Sequence, residues 1–446
     1  MTRAGVAPRL GVPDAVLWLS AAAGVGTLVV PAARPYTAPL LVAGVVVVAA
    51  TAWPTLRPPV RRTVLAMMLA GAALCLVAGA RWSDVSAAFA TMCGVFSFVA
   101  VVRLLELPML RRGYHTAIAE VTLVRLRRTR AVWSAATLTY LLSLALSFGG
   151  VALAYRSVRA MDSAADEAGS AGVVCRAFIA ANLVTPLSPP LAVVLTLTGL
   201  TWTGFLPYAL ALGLVAAMLV PLGPVPRARA LPAPRPERGR LAAGFAAMIG
   251  CVVVVLVALE MVTPLSHPAA TMTAVLLVVP LWERGTRLPA RAVALARSEA
   301  GSWREQFLLF GAGGFVVAAA GRWTADGAVG RLLDAAGLPA WALLAGGALA
   351  ITVLGLAGLY PLTTLIVVTT VLAPLGTGAW PALVAAAALV GTMAAFVLSP
   401  LSGLTLLVSA LSGRSAVHIG LRWNLPFGLA LLGAGGAAIG LFAAVT

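Results

Sequence analysis

Two short stretches of hydroxyl side chains and prolines interrupt apolar segments that are long enough to cross a membrane. They are Thr185-Pro-Leu-Ser188 and Ser399-Pro-Leu-Ser402. Proline removes a backbone N–H and clashes with the preceding turn, so a helix should break at both places. A helix that ends inside a membrane leaves free N–H groups or free carbonyl oxygens, which suit an anion or a cation respectively. The two breaks therefore predict a binding site for a small anion, for Na⁺, or for both.

The candidate binding residues come from these breaks and from two turns that should lie near them. The breaks contribute Asn182, Thr185, Ser188, Ser399, Ser402 and Thr405. The turns contribute Ser147, Gly149, Gly150, Thr363 and Thr364. Arg176, which precedes Thr185 by about 13 Å of helix, is a further candidate because a buried cation would attract an anion.

Asp, Glu and His are absent from the sequence of both breaks and both turns, and His267 falls in a loop between apolar segments. Proton coupling needs a side chain that titrates near working pH, so this pattern favours Na⁺ as the coupling ion. A proton carried on the substrate's own carboxylate is the alternative. Arg103 and Glu106 share one helix face and are expected to form a structural pair.

The composition sets the class of protein that must position these residues. Of 446 residues, 61% are hydrophobic and 10% are charged, with a mean hydropathy of +1.00. Apolar runs recur throughout the chain, which predicts an all-α polytopic membrane protein. The net charge of +17 comes from arginines in short loops, where the positive-inside rule explains them, so no nucleic acid is expected as a partner. The motifs of zinc proteases, serine hydrolases and P-loop proteins are missing, so we expect neither an enzyme nor a bound cofactor.

Similar segments recur in the two halves of the chain at one common offset, which predicts an internal duplication. Residues 1–36 are assigned to an N-terminal segment and the first transmembrane helix. Repeat 1 (37–222) is predicted to contain scaffold helices 37–108, an arm 110–130, a hairpin 131–167, a broken helix 171–199 and a last span 203–222. A cytoplasmic linker, 223–240, follows. Repeat 2 (241–446) is predicted to contain scaffold helices 241–321, an arm 322–337, a hairpin 338–372, a broken helix 380–412 and a last span 424–444.

The distribution of arginine predicts the topology. If both hairpins enter and return on one side of the membrane, each repeat has an odd number of crossings and the repeats are inverted. About 11 transmembrane helices and two re-entrant hairpins result, and most of the arginines then fall on the inner side. The N-terminus is placed in the cytoplasm and the C-terminus outside, in the cell inner (plasma) membrane. Hairpins that crossed fully would put the arginine-rich linker outside.

This arrangement resembles the ion transporter superfamily, which includes divalent anion/sodium symporters and citrate and gluconate permeases. The resemblance covers residues 37–444, and Asn182 with Thr185 is the nearest match to the Ser-Asn-Thr motif by which those symporters bind Na⁺ and a carboxylate. It implies a homodimeric secondary active transporter of a small organic anion of the carboxylate type, with elevator-like alternating access and Na⁺ coupling. The alternatives are a proton-coupled transporter or exporter of another small solute, and a non-transport accessory or enzymatic integral membrane protein.

Overall fold

The computed structural model describes most of the chain, and the described residues are 12–30, 34–125, 131–161, 167–226, 236–283, 288–327, 330–331, 335, 337–375 and 378–445. Parts of the predicted arms, of the first hairpin and of the linker lie outside these residues, as do the first eleven residues. All regular secondary structure in the described part is helical.

Nine helices in the described part are long and apolar enough to cross a membrane, which confirms an all-α polytopic membrane protein. Two of them, Glu167–Thr198 and Trp380–Ser412, contain the predicted breaks. Within their most apolar windows 94% and 100% of the residues are buried, compared with 22% for Glu237–Val262. The broken helices therefore lie inside the protein, where irregular backbone is tolerated because neighbouring groups can satisfy it.

The first part of the chain consists of four long helices followed by two short ones. They are α1 (Val12–Val29), α2 (Arg34–Ala52), α3 (Pro58–Ala78), α4 (Trp82–Val102), α5 (Glu106–Arg111) and α6 (Tyr114–Arg125). Short 3₁₀ turns at Trp53–Thr55 and Arg103–Leu105 follow α2 and α4.

A helical hairpin and the first broken helix come next. The elements are α7 (Ala131–Leu146), α8 (Phe148–Met161), α9 (Glu167–Val184), α10 (Pro189–Thr198) and α11 (Trp202–Leu219). The 16 residues of α7 span about 24 Å and the 14 residues of α8 about 21 Å. Both arms are shorter than the roughly 30 Å of hydrocarbon in a bilayer.

The second half begins with three long helices and then repeats the same order of elements. They are α12 (Pro236–Val262), α13 (His267–Glu283), α14 (Leu288–Ala325), α15 (Ala340–Leu356), α16 (Pro361–Leu372), α17 (Trp380–Leu398), α18 (Gly403–Ser412) and α19 (Leu425–Val445). Helices α15 and α16 form the second hairpin, and α17 and α18 form the second broken helix. A π-helical turn, His418–Trp423, precedes α19.

The backbone divides into two compact units, which are Met1–Ala100 with Gly285–Ala319, and Val101–Arg284 with Ala320–Thr446. An aromatic cluster forms part of the core of the first unit, where the ring of Trp303 lies 5.0 Å from that of Trp18 and 6.5 Å from that of Phe96. The second unit contains both hairpins, both broken helices, α12 and α13.

Small residues allow the helices of the second unit to approach closely. A side chain on Gly391 of α17 would lie 2.8 Å from the Cα atom of Ala348 in α15. A side chain on Gly355 of α15 would lie 2.8 Å from the Cβ atom of Ala395 in α17. The second hairpin is thus packed directly against the second broken helix, as small residues permit at helix contacts in membranes.

Candidate functional site

Local sequence explains why both helices stop in the interior. Helix α9 ends at Val184 and α17 ends at Leu398, and in each case the next residue is followed by proline. A residue before proline is disfavoured in the helical region, and Ser399 is extended at φ −69° and ψ 125°. The following helices restart at Pro189 and at Gly403, so each break is four residues long.

In the first break, Thr185 connects the broken helix to the first hairpin. Its Oγ1 donates a hydrogen bond to the carbonyl oxygen of Leu144 at 3.0 Å, and it accepts one from the N–H of Leu187 at 3.3 Å. Leu144 lies in the last turn of α7, where carbonyls have no partner further along the helix. The Thr185 hydroxyl therefore satisfies an end of the hairpin arm and holds the break beside the hairpin turn.

The second break makes the same contacts in the second hairpin. The Oγ of Ser399 donates to the carbonyl oxygen of Gly355 at 2.7 Å and accepts from the N–H of Leu401 at 3.3 Å. Gly355 lies in the last turn of α15, as Leu144 does in α7. Thr185 and Ser399 are the first residues of the two sequence motifs. The two breaks therefore match in their hydrogen bonds as well as in their sequences.

The serines that end the two breaks differ in their partners. Ser402 caps α18 by accepting from the N–H of Thr405 at 3.1 Å, and its hydroxyl donates to the carbonyl oxygen of Phe396 at 2.6 Å. Thr405 in turn donates to the carbonyl oxygen of Ser399 at 2.6 Å. Ser188 is fully buried at the start of α10, and its Oγ has no hydrogen-bond partner in the described structure. Buried hydroxyls are rarely left without a partner, so the first break has hydrogen-bonding capacity to spare.

The turn of the first hairpin also contains buried hydroxyl groups that have no hydrogen-bond partner in the described structure. Ser147 has a positive φ of 46°, which is unusual for a residue with a side chain and marks a strained turn. The Oγ atoms of Ser147 and of Ser143, one turn earlier, are buried and have no partner in the described structure. Ser143, Ser147 and Ser188 are thus three buried hydroxyls without a partner at the first hairpin turn and the first break.

The two hairpin turns lie close together, because an aromatic residue at each turn packs near Phe396 of α17. The ring of Phe148, at the first turn, lies 4.9 Å from that of Phe178 in α9 and 5.9 Å from that of Phe396 in α17. The ring of Tyr360, at the second turn, lies 6.4 Å from that of Phe396. Phe396 is three residues before the second break, so both hairpin turns meet beside it.

The remaining turn residues have structural partners. A side chain on Gly149 would lie 3.0 Å from a carboxylate oxygen of Glu106, so the absence of one lets this acid approach the first turn. Gly150 lies directly against the backbone of Leu142. Thr364 donates to the carbonyl oxygen of Pro361 at 2.9 Å, and Thr363 is buried beside it. A binding role for these residues stays a prediction.

Asn182 is buried in the last turn of α9, where its Nδ2 donates to the carbonyl oxygen of Phe178 at 2.9 Å. This bond lies within its own helix. The structure therefore places Asn182 next to the first break without showing a contact that extends across it.

Arg176 is completely buried, and its guanidinium group donates to oxygens of segments outside the break. It donates to the carbonyl oxygen of Pro224, and at 3.5 Å to the carbonyl oxygen of Trp423 and to Oδ1 of Asn424. Its Nε has no partner in the described structure. Arg176 thus joins α9 to the segments that follow α11 and precede α19, and the attraction of an anion stays a prediction.

The structure corrects the expectation that no ionisable side chain approaches the breaks. His267 does not lie in an exposed loop: it begins α13 and is 2% exposed. Its Nδ1 lies 2.8 Å from Oε1 of Glu260, and its Nε2 lies 3.1 Å from the carbonyl oxygen of Pro186, inside the first break. Sequence reasoning missed this pair because four residues separate α12 from α13, and only the fold turns both side chains toward the break. One feature of the sequence could have indicated this pair: Glu260 and His267 are the only charged or histidine residues in 241–282.

A cavity of about 670 Å³ lies apart from the breaks. Its walls come from the end of α14, the start of α15 and the segment between α16 and α17, including Thr324, Leu338 and Trp380. None of the candidate residues lines it. The hydroxyl groups of the breaks are instead enclosed by protein atoms.

Comparison with known proteins supports the fold. The chain is similar to the Alcanivorax borkumensis YdaH transporter, with a TM-score of 0.53 and 18% sequence identity over 80% of this chain and 88% of that one. It is also similar, with a TM-score of 0.44 and 14% identity over 76% of this chain and 80% of that one, to Neisseria gonorrhoeae MtrF, from a class of antimetabolite efflux pumps. The likeness to MtrF is too low to establish a common fold. No family model and no curated protein matches the sequence. The chain is a multi-pass α-helical membrane protein that shares its fold with a solved transporter.

Proposed function

We propose that this chain is a secondary active transporter of a small organic anion of the carboxylate type. The observation that carries the proposal is the pair of buried breaks, each bonded through one hydroxyl to the end of its own hairpin arm. Two broken helices at matching places in repeated halves are the usual mark of a transporter's central site. The fold shared with YdaH supports this reading.

The chemistry of the site supports an anionic substrate. Helix α10 begins at the first break, so the positive end of its dipole points toward that break, while its first two residues, Pro189 and Pro190, have no N–H to donate. The unpartnered hydroxyls of Ser188 and Ser147 are neutral donors that suit a carboxylate. We assign Thr185 and Ser399 the role of fixing the backbone of the breaks, because their own hydroxyls are already engaged.

Alternating access would follow from movement of the hairpins and broken helices as a body. We propose that the two hairpins are re-entrant, since none of their arms is long enough to span a bilayer alone, and that the repeats are inverted. The remaining long helices, 37–108 and 241–321, would form the scaffold of a homodimer. The N-terminus would then be cytoplasmic and the C-terminus outside.

Two coupling ions remain as alternatives. Hydroxyl and carbonyl oxygens in the breaks are suitable ligands for Na⁺. The contact of His267 with Pro186 removes the reason for preferring Na⁺ to H⁺, because a titratable group does reach the first break. Transport measurements must separate the two ions.

The test is uptake by the purified full-length chain in proteoliposomes. Small mono-, di- and tricarboxylates are offered while a Na⁺ gradient and a pH gradient are imposed separately. We expect at least one carboxylate to accumulate when one of the gradients is imposed. Uptake that persists in choline but collapses with a protonophore would identify H⁺ as the coupling ion.

Matched variants connect the transport to the site. Thr185→Val removes the hydroxyl that holds the first break, whereas Thr196→Val removes one that bonds only to Ala192 within α10. We expect the first variant to lose uptake and the second to retain it. Failure of every carboxylate to accumulate under either gradient, with correctly folded protein, would favour an accessory membrane protein instead.

A further inference from the structure

Glu260 and His267 form a buried pair, and each side chain also makes hydrogen bonds to neighbouring segments. The side chains of both residues are fully enclosed. Oε1 of Glu260 accepts from the N–H of Trp202 at 3.0 Å, and Oε2 accepts from the N–H of Thr203 at 3.1 Å and from its hydroxyl at 3.0 Å. The indole of Trp202 donates to the carbonyl oxygen of Val184, at the end of α9, at 3.1 Å. The pair therefore joins α11, α12 and α13 to the first break.

The hydrogen bonds fix how many protons the imidazole must carry. A carbonyl oxygen only accepts, so Nε2 of His267 must donate a proton to Pro186. Glu260 already accepts two backbone N–H bonds at the N-terminus of α11, one on each carboxylate oxygen, so both oxygens act as acceptors. Nδ1 must then also donate, toward Oε1 at 2.8 Å. From these distances we infer a doubly protonated imidazole between a carboxylate and a carbonyl.

Charged residues are sparse along the segments that surround the pair. No Asp, Glu, Arg, Lys or His occurs between 177 and 226, so α10 and α11 bring no other ionisable group except Tyr208. On α12 itself, Cys251 lies between Glu260 and the charged start of the helix. The charged or titratable groups on elements packed against α12 and α13, or at their far ends, are Arg103, Glu106, Arg111, Arg112, Tyr114, His115, Glu120, Arg125, Glu237, Arg238, Arg240 and Glu283. Two pairs among them, Arg111 with Glu283 and Arg238 with Glu120, lie at the ends of the helices opposite to Glu260 and His267.

The second break provides a natural comparison. Its described hydrogen bonds join Ser399, Ser402 and Thr405 to each other and to backbone groups. No ionisable side chain takes part in these bonds. The contact with a titratable pair therefore distinguishes the first break from its counterpart.

We propose that Glu260 and His267 form a proton-binding site, and that the bound proton holds the first break against α12 and α13. Loss of one proton leaves the imidazole with a single N–H, which remains on Nδ1 because its bond to the carboxylate is assisted by charge. Nε2 then presents a lone pair to the carbonyl oxygen of Pro186, and attraction changes to repulsion. Proton release breaks the contact with the first break and leaves the bond to Glu260 intact.

This proposal deepens the proposed function, since it rests on the first break belonging to the moving part of a transporter. Helices α12 and α13 were assigned above to the scaffold. A break that moves with the hairpins must part from His267, and protonation would oppose that movement. The proton would thereby set when the first break is free to move.

The test uses the proton itself as ligand and needs no substrate. The chain has three histidines, so a full-length protein with His115→Gln and His418→Gln retains His267 alone for ¹⁵N-histidine NMR in lipid. We expect both ring nitrogens to carry protons at low pH and Nε2 to lose its proton as pH rises. In a Glu260→Gln version, Nε2 should lose its proton at lower pH.

Hydrogen exchange of the same protein connects the proton to the break. The N–H groups of Leu187 and Ser188 report on the first break, and those of Leu401 and Ser402 occupy the matching places in the second. After correction for the intrinsic effect of pH, we expect exchange at the first pair to rise by about 10- to 100-fold as His267 loses its proton. Exchange at the second pair should not change.

Two results would overturn the proposal. One is an imidazole that carries a single proton at every pH at which the protein is folded. The other is a titration of His267 that leaves exchange at Leu187 and Ser188 parallel to that at Leu401 and Ser402. Neither measurement depends on transport, so an inactive chain that shows the titration would count against the proposed function alone.

Discussion

Replacement of Thr185 by valine tests whether one hydroxyl holds the first hairpin to the first break. Valine keeps the branched shape of the side chain and removes only Oγ1. The carbonyl of Leu144 then loses a bond of 3.0 Å and the N–H of Leu187 loses one of 3.3 Å. Thr185 is 2% exposed, so water is poorly placed to replace either partner. Leaving a buried partner unsatisfied costs about 1–3 kcal/mol.

That cost predicts a measurable change in the opening of the hairpin turn. A free energy of about 1–3 kcal/mol corresponds to an increase of roughly 5- to 150-fold in the population of the open turn. The amides of Ser147 and Gly150 report on it, because they donate to the carbonyl oxygens of Ser143 and Ser147 within the turn. Their hydrogen exchange, followed by mass spectrometry of the protein in lipid nanodiscs, should accelerate by that factor in Thr185→Val.

Two further variants show whether the hydroxyl is the cause. Thr185→Ser retains the donor and should exchange within a few-fold of the unsubstituted chain. Thr196→Val, which loses a hydroxyl bonded only within α10, should leave the turn unchanged. Equal exchange in Thr185→Val and the unsubstituted chain would refute the reasoning, as would equal acceleration in the serine variant.

Three more predictions concern the second repeat, packing and topology. Ser399→Ala should accelerate hydrogen exchange at Gly358 by only about 5-fold, because the carbonyl of Gly355 keeps a bond of 3.3 Å from the N–H of Gly358. An increase in exchange larger than that in Thr185→Val would contradict this prediction. Gly391→Ala should destabilise the protein by about 1–3 kcal/mol and lower its melting temperature, since a methyl group there overlaps Ala348. Gly436→Ala, with nothing within 4 Å of the new methyl group, should not lower the melting temperature, and equal melting of the two variants would argue against the close packing of α15 and α17. Cysteines introduced into 223–240 should be labelled only from the cytoplasmic side and those in 322–337 only from outside, so labelling of both from one side would exclude inverted repeats.

The sequence predicted the class of fold and the position of the breaks because both depend on local chemistry. Long apolar runs require helices in a membrane, since every backbone group must find a partner within the segment. Thr185-Pro and Ser399-Pro end α9 and α17 through the geometry of the proline ring, which needs no tertiary information. The repeated motif also indicated that the two breaks should be related, and their matching hydrogen bonds follow from this.

Tertiary structure alone decided which polar groups meet. The partners of Thr185 and Ser399 lie more than forty residues away, on carbonyls that no side-chain pattern reveals. Arg176 was a candidate for attracting an anion by its position in the sequence, yet packing directs it toward the carbonyls of Pro224 and Trp423. His267 read as a loop residue, and only the close return of α13 beside α12 buries it against Glu260 and the first break. Hydrophobicity and proline act along the chain, whereas the pairing of buried polar groups depends on which helices pack together.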